Sequence, residues 1–552
     1  MTNLLQELPQ TLFSEHLINL IVILAVYLVT WHKSIKGNWL IDDDMGLQPF
    51  SEQYDVKNDK VIDSYKEGDK EYKFLSYQPH LGFPGAFMRW HRLHIGKKFK
   101  VIGKNAKGHE IHGYVQDPLR HHLWSLFVYA ISLILCYTFL NNLFGSAIAL
   151  GATLLFAVHP VISQCIAWIS GINYVYSLTF LLANYNILQS SPGYYWTIPL
   201  TMLCTALSSM SLLVGVFNFA ILWVLGYPWE SFSALIVGIL IFLKDGVGVI
   251  SFRRKAFKEQ NMTNSITPNA RKPVVMLKTL WYYVCLCIYP KSLGLYHEFG
   301  YHYSRKDEEP DGMFWAGLIC AVMFLYGFIY GDFLIRFCIV WFLSYFAIFS
   351  NFLTANQFVV ERYIFIPSLA FCVLFAYLVY PIQPLFWFLL GLYMMRSIMH
   401  VWTFKDHVSF YQSNVLNFPN SEVAYGNLGV AYQGRGKSGT AFDMWQTATE
   451  INPHYDVPFY NMHSLVKNAG QLEQARDYLK KCMDAKVVHF KQSWEREMAE
   501  LDNAIFKKKA IDSLNNEMNA AINSGKTELI PDLKKKMDIL LNPSTVVSDK
   551  PR

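Results

Sequence analysis

The chain reads as an all-α polytopic membrane protein of about eleven transmembrane helices, followed by a C-terminal helical-repeat solenoid. Three observations carry that expectation. Of 552 residues, 53% are hydrophobic and only 16% charged, where a soluble chain carries about a quarter charged residues. Apolar runs near the length that crosses hydrocarbon recur as far as Trp402. Beyond Trp402 the composition turns polar and a period of 34 residues appears.

The elements follow in order. Leu17 to Trp31 has no basic segment before it and no small-residue cleavage site after it, so residues 1–32 are expected as a retained first membrane helix. Residues 33–120 form a long polar outer loop. Residues 121–402 hold the runs Leu123–Leu140, Leu143–Val158, Tyr174–Leu188, Tyr195–Leu213, Val214–Leu225, Leu277–Tyr289, Met313–Tyr330, Phe333–Leu353, Tyr363–Tyr380 and Leu385–Val401. Phe232–Leu243 is shorter and is expected to be interfacial or re-entrant. The net charge of +6 is small for this length and by itself implies no nucleic-acid partner. The nine cysteines show no disulfide or zinc spacing and read as small buried hydrophobes.

In residues 403–487 Asn427 recurs as Asn461, Ala441 as Ala475 and Ala448 as Cys482. Tyr425, Leu428, Gly429, Tyr432, Ala441, Trp445, Ala448 and Pro453 stand where a tetratricopeptide repeat has them: small residues where two helices cross, large ones between. Met462 and His463 replace the Leu-Gly of the first unit. Phe410 to Pro419 reads as half a repeat. Residues 488–552 read as a charged helical cap or tail. Tyr425, Asn427 and Asn461 are expected to line the concave groove and meet a partner protein.

Three places hold residues suited to chemistry. Asp42-Asp43-Asp44 follow the first membrane helix by about ten residues. Adjacent acids there are either a solvated turn or a pair that holds a divalent cation or acts as general base toward a hydroxyl. His159 closes an apolar run ahead of Pro160, as a hydrogen-bonded boundary residue or as a phosphate or acid–base group. Glu361 and Arg362 head the run that follows. Arg suits a phosphate through its two-pronged hydrogen bonding, and a helix-end anchor in the headgroups is the other reading. Arg89 to His112, basic around apolar alternation, reads as a β-hairpin turning near Lys104 to Gly108. The most basic short loop, Arg253 to Lys272, gives an N-in topology if cytoplasmic, with residues 33–120, His159, Glu361 and the repeats on the opposite side. Lys33 and Lys36 after the first helix argue the other way.

Trp39-Leu40-Ile41-Asp42-Asp43, Pro118 to His122, His159-Pro160 through Trp168, Glu361-Arg362-Tyr363 through Ser368, and Trp402 leading into repeats occur in one order. That ordered set resembles the transmembrane and tetratricopeptide-repeat O-mannosyltransferase-like family, including its bacterial relatives, on a type C glycosyltransferase fold. The resemblance implies transfer of a mannose-like sugar from a polyprenyl-phosphate donor to a protein hydroxyl on the non-cytoplasmic side, in a bacterial inner membrane or an endoplasmic reticulum membrane. It assigns Asp42 or Asp43 as base or metal contact, Arg362 to the donor phosphate, and Glu361 and His159 to the same donor region. The chain departs from the family pattern at Ser125, Tyr129, Gln164, Ile172, Tyr174 and Met210. Those losses support the alternative of a catalytically inert membrane scaffold whose repeats dock a partner.

Overall fold

A computed structural model describes residues 4–38, 40, 54–55, 60–61, 64–67, 70–73, 87, 90–91, 94–104, 110–209, 214–243, 272–295, 297, 299, 309–351, 359–485 and 491–541. The chain divides into two compact units that meet in sequence at Asn420 and Ser421.

The first unit is helical apart from short antiparallel strand pairs. Among the described residues five helices are long and apolar enough to cross a membrane: Glu15–Lys36, Pro118–Phe144, Gly312–Tyr330, Glu361–Val379 and Gln383–Lys405. Ser146–Val158 and Pro160–Ala167 make a sixth if their 52° bend is taken within one span. The bend falls where Pro160 interrupts the helix behind His159, as Pro dictates. The expected run Leu143–Val158 is instead split at Gly145, whose φ of 81° stops one helix at Phe144 and starts the next at Ser146. Thr197–Ser208, Val214–Val224, Pro228–Ile241 and Phe333–Phe349 are apolar but shorter. A helix of 14 residues such as Pro228–Ile241 rises only about 21 Å against the roughly 30 Å of hydrocarbon.

Polar side chains join these helices inside the unit. Tyr185 donates to Asn218 Oδ1 at 2.5 Å and its hydroxyl meets that of Tyr345 at 2.9 Å, while Asn218 donates to Thr205 Oγ1 at 2.9 Å. Thr201 donates to Asn184 at 2.9 Å. Interhelical hydrogen bonds of this kind hold apolar helices together where lipid removes the hydrophobic drive.

Of the basic stretch expected as a hairpin from Arg89, the described residues 90, 91, 94 and 95 are helical, and the hairpin begins only at Lys97. Strands Lys97–Lys104 and Glu110–Gln116 pair antiparallel, with a bulge between Val101 and Gly103. Gly96 O accepts Asp117 N at 2.9 Å, and Asp117 then caps the helix that opens at Pro118. The nine cysteines are free, and all but Cys285 are buried.

Helix His407–Asn417, expected as half a repeat, belongs to the first unit. Asn414 Oδ1 accepts Leu295 N at 2.7 Å, Asn417 donates to Leu293 O at 3.0 Å, and the Phe418 ring lies 4.8 Å from that of His297. The unit boundary therefore falls at Asn420 rather than at Trp402.

The second unit holds two helix pairs, Glu422–Gly434 with Ser438–Ile451 and Asp456–Asn468 with Leu472–Asp484. Ala441, Ala448, Ala475 and Cys482 are each fully buried, as the crossing demands. In the first pair the Trp445 indole donates to Gly426 O at 3.0 Å and lies against Gly429. In the second, His463 and Leu479 occupy the matching positions, and His463 Nδ1 meets Ala475 O at 2.8 Å. The charged tail is helical, Lys491–Asn523 then Ile530–Leu541. Its Trp494 and Leu501 join the core made by Val466, Leu479 and Cys482. Glu497 receives Lys467 at 2.5 Å and faces His463 at 3.1 Å.

Candidate functional site

The segment that enters helix Phe365–Val379 is extended at Val360 and then winds a 3-10 turn, Glu361–Ile364. Tyr283 grips its start: the hydroxyl donates to Val360 O at 3.1 Å and accepts Val360 N at 2.9 Å. The turn sends consecutive side chains to different surroundings.

Glu361 is fully buried. Its Oε1 accepts the N–H of Gly294 and stands 3.4 Å from His297 Nε2, while Oε2 stands 3.9 Å from His400 Nε2. Gln164 donates to the carbonyl of the same Gly294 at 2.9 Å, so two side chains clamp one residue. A Cβ there would run into Asn414 and Phe418, which is why glycine stands at the point of closest approach. Tyr282 hydroxyl meets His297 Nδ1 at 3.0 Å. Glu361 Oε2, both ring nitrogens of His400 and Gln164 Oε1 are buried without a hydrogen-bond partner. Buried polar atoms are otherwise nearly always paired, so this cluster has spare capacity for protons or a polar ligand. Sequence reading missed His297 and His400. Arg396 and His400, spaced i and i+4 in an otherwise apolar helix, are the signal that points there.

Arg362 takes a separate place. Its guanidinium lies 5.2 Å from the Trp168 ring centre and 5.3 Å from that of Tyr363. Tyr363 is itself stacked on Phe349 at 4.3 Å. Two aromatic faces hold the cation through their ring quadrupoles. The Trp168 indole also donates to Leu40 O at 3.1 Å, and Asn38 N donates to Lys405 O at 3.2 Å. The chain leading to the acidic triplet is thus anchored beside the Arg362 cradle two residues before Asp42. Asp42 and Asp43 themselves lie outside the described residues.

His159 does not fit the donor-phosphate assignment. Its Nε2 donates to Cys287 O at 2.8 Å and its Nδ1 accepts Val161 N at 3.3 Å, so both nitrogens are occupied by backbone. Glu361 likewise serves the Gly294 clamp. Of the three residues expected at a phosphate, Arg362 alone keeps a cation in an aromatic frame. Among the described residues no group of three His, Cys, Asp or Glu is placed to hold a metal ion. Tyr425, Asn427 and Asn461 are half-buried on the first helices of the two repeat pairs. The Nδ2 of Asn461 is buried without a hydrogen-bond partner.

Fold and site together define a helical protein with several apolar helices fit to span a membrane and a buried polar cluster at the head of one of them. No protein-family model matches the chain, and no match was found among curated proteins or solved structures.

Proposed function

We propose that the chain is a membrane glycosyltransferase that moves a sugar from a polyprenyl-phosphate donor to a protein hydroxyl on the non-cytoplasmic side. The reading includes the finer architecture expected from sequence: about eleven spans on a type C glycosyltransferase-like plan, and a tetratricopeptide solenoid that presents the acceptor or a partner. The observation that carries it is the Trp168 indole, which binds Leu40 O on one side and lies under Arg362 on the other. An arginine fixed near the chain that delivers Asp42 and Asp43 suits the two demands of the reaction. The departing phosphate needs its charge relieved, and the acceptor hydroxyl needs a base. Asp42 or Asp43 supplies that base, directly or with a divalent cation. Tyr425, Asn427 and Asn461 meet the partner chain. The equal period of the two helix pairs supports the repeat reading.

The test is transfer of labelled sugar from a polyprenyl-phosphate donor to protein in membranes. Asp43→Asn and Arg362→Ala are each expected to lower labelling by about 100-fold or more. Equal labelling by all three proteins overturns the reading. It leaves the second one, an inert scaffold, which the engagement of Gln164 with Gly294 favours, since the family carries an acid at that position.

A further inference from the structure

We propose that the hairpin formed by Lys97–Lys104 and Glu110–Gln116 lies on the membrane surface and binds the headgroups of anionic phospholipids. Arg89 to His112 holds seven Lys and Arg against the single acid Glu110. The surplus of six equals the net charge of the entire chain, +6. The rest of the protein is therefore neutral in sum, and the positive charge is gathered in one stretch.

The hairpin leads directly into a helix fit to cross a membrane. The open end of the hairpin is tied by Asp117 N to Gly96 O, directly before the helix that opens at Pro118. Leu119, Leu123 and Phe127, spaced four residues apart on that helix, are 43%, 47% and 54% exposed. A stripe of large apolar side chains left uncovered from the first turn onward faces hydrocarbon. The base of the hairpin thus stands within about one helical turn, roughly 5 Å, of the hydrocarbon edge. Trp90, exposed and stacked on His94 at 5.5 Å, adds the aromatic type that sits at headgroup depth.

The register sets out the two faces. Phe99 pairs with Tyr114 and Val101 with His112, while Lys98 pairs with Val115 and Lys100 with Gly113. Alternation therefore puts positions 97, 99 and 101 with 112, 114 and 116 on one face, and the lysines at 98 and 100 with 113 and 115 on the other. An eight-residue strand spans about 26 Å, enough to lie across several headgroups. Lysine near an anionic surface gains about 1 kcal/mol, or about five-fold in binding per residue. The occupant chosen by charge and position is the phosphate of the protein's own bilayer.

The experiment uses the full chain in nanodiscs of phosphatidylcholine, alone or mixed with phosphatidylglycerol, and follows amide exchange over residues 97–104 and 110–116. Exchange is expected to slow at least ten-fold in the anionic discs and to recover in high salt, which screens exposed charges. Replacing Lys97, Lys98, Lys100 and Lys104 together by Gln should abolish the difference between discs, and replacing all four by Arg should keep it. Exchange in helix Pro118–Phe144 reports whether each variant is folded. Equal exchange in both discs by the unaltered protein overturns the proposal without need of any variant. So does equal protection in neutral discs on adding inorganic phosphate, which makes the hairpin a soluble-anion site.

Discussion

Replacing Gly429 by Ala tests how the first helix pair is closed. A Cβ at this position falls within 2.9 Å of Trp445 Cε2 and nearer still to Nε1 and Cδ1. The indole has little freedom to yield, because it is 2% exposed and its N–H is held by Gly426 O at 3.0 Å. Overpacking of this kind costs about 1–3 kcal/mol. Loss of the indole hydrogen bond adds about 1 kcal/mol, and the better helix propensity of Ala returns about as much. A net loss of about 2 kcal/mol is expected, or about thirty-fold faster amide exchange across Glu422–Ile451. Adding Trp445→Leu brings in the residue that stands at the matching position of the second pair, where His463 and Leu479 replace Gly429 and Trp445. The double variant should show a favourable coupling of at least about 1 kcal/mol relative to the two single changes. Unchanged exchange in Gly429→Ala, or strict additivity in the cycle, refutes the packing argument.

Two further outcomes follow from the geometry. At Glu497, burial works to raise the pKa, but hydrogen bonds from Lys467 and His463, and their charges, outweigh it and hold the carboxyl below its usual range. Its contribution to docking the tail helix is therefore complete above the ordinary carboxylate pKa and is lost as pH falls through the lower folded value. Protection of the 494–501 amides, followed from about pH 6 to about pH 3, should fall for the native chain and lose most of that slope in Glu497→Gln, and an equal slope in both removes the carboxylate from the clasp. His159→Ala should lower the melting temperature in detergent, at a cost of about 2 kcal/mol for the two lost hydrogen bonds, to Cys287 O (which keeps Tyr393 as a donor at 3.4 Å) and from Val161 N, with binding of the lipid-linked sugar intact. Weakened binding at an unchanged melting temperature would restore the phosphate assignment.

Much of the architecture was legible because it rests on local chemistry. The Pro118 start, the Pro160 bend, the basic hairpin and the 34-residue spacing of the helix pairs all follow from residue type and interval. The break at Gly145 was hidden because both flanks are apolar, and run length does not register a left-handed residue. At the candidate site, Glu361 and Arg362 were visible as ionisable neighbours at the head of an apolar run. Their separation was not, since it depends on a 3-10 turn that aims one side chain at Gly294 and the other at Trp168. His297 and His400 come to Glu361 from distant positions in the chain, a contact that no local pattern encodes. His159 drew attention as a boundary histidine, but its role depends on a carbonyl more than a hundred residues away, that of Cys287.

The placement of helix His407–Asn417 bears on how the repeats can be obtained as a separate fragment. A fragment begun at residue 403 would carry Val408, Phe410 and Tyr411, which are buried within the first unit, into water as an uncovered apolar strip. Aggregation on expression would then report the choice of starting residue and not a defect of the repeats. Beginning at Ser421 keeps the hydroxyl that accepts Ala424 N and opens helix Glu422–Gly434 with its own cap, and leaves that strip behind.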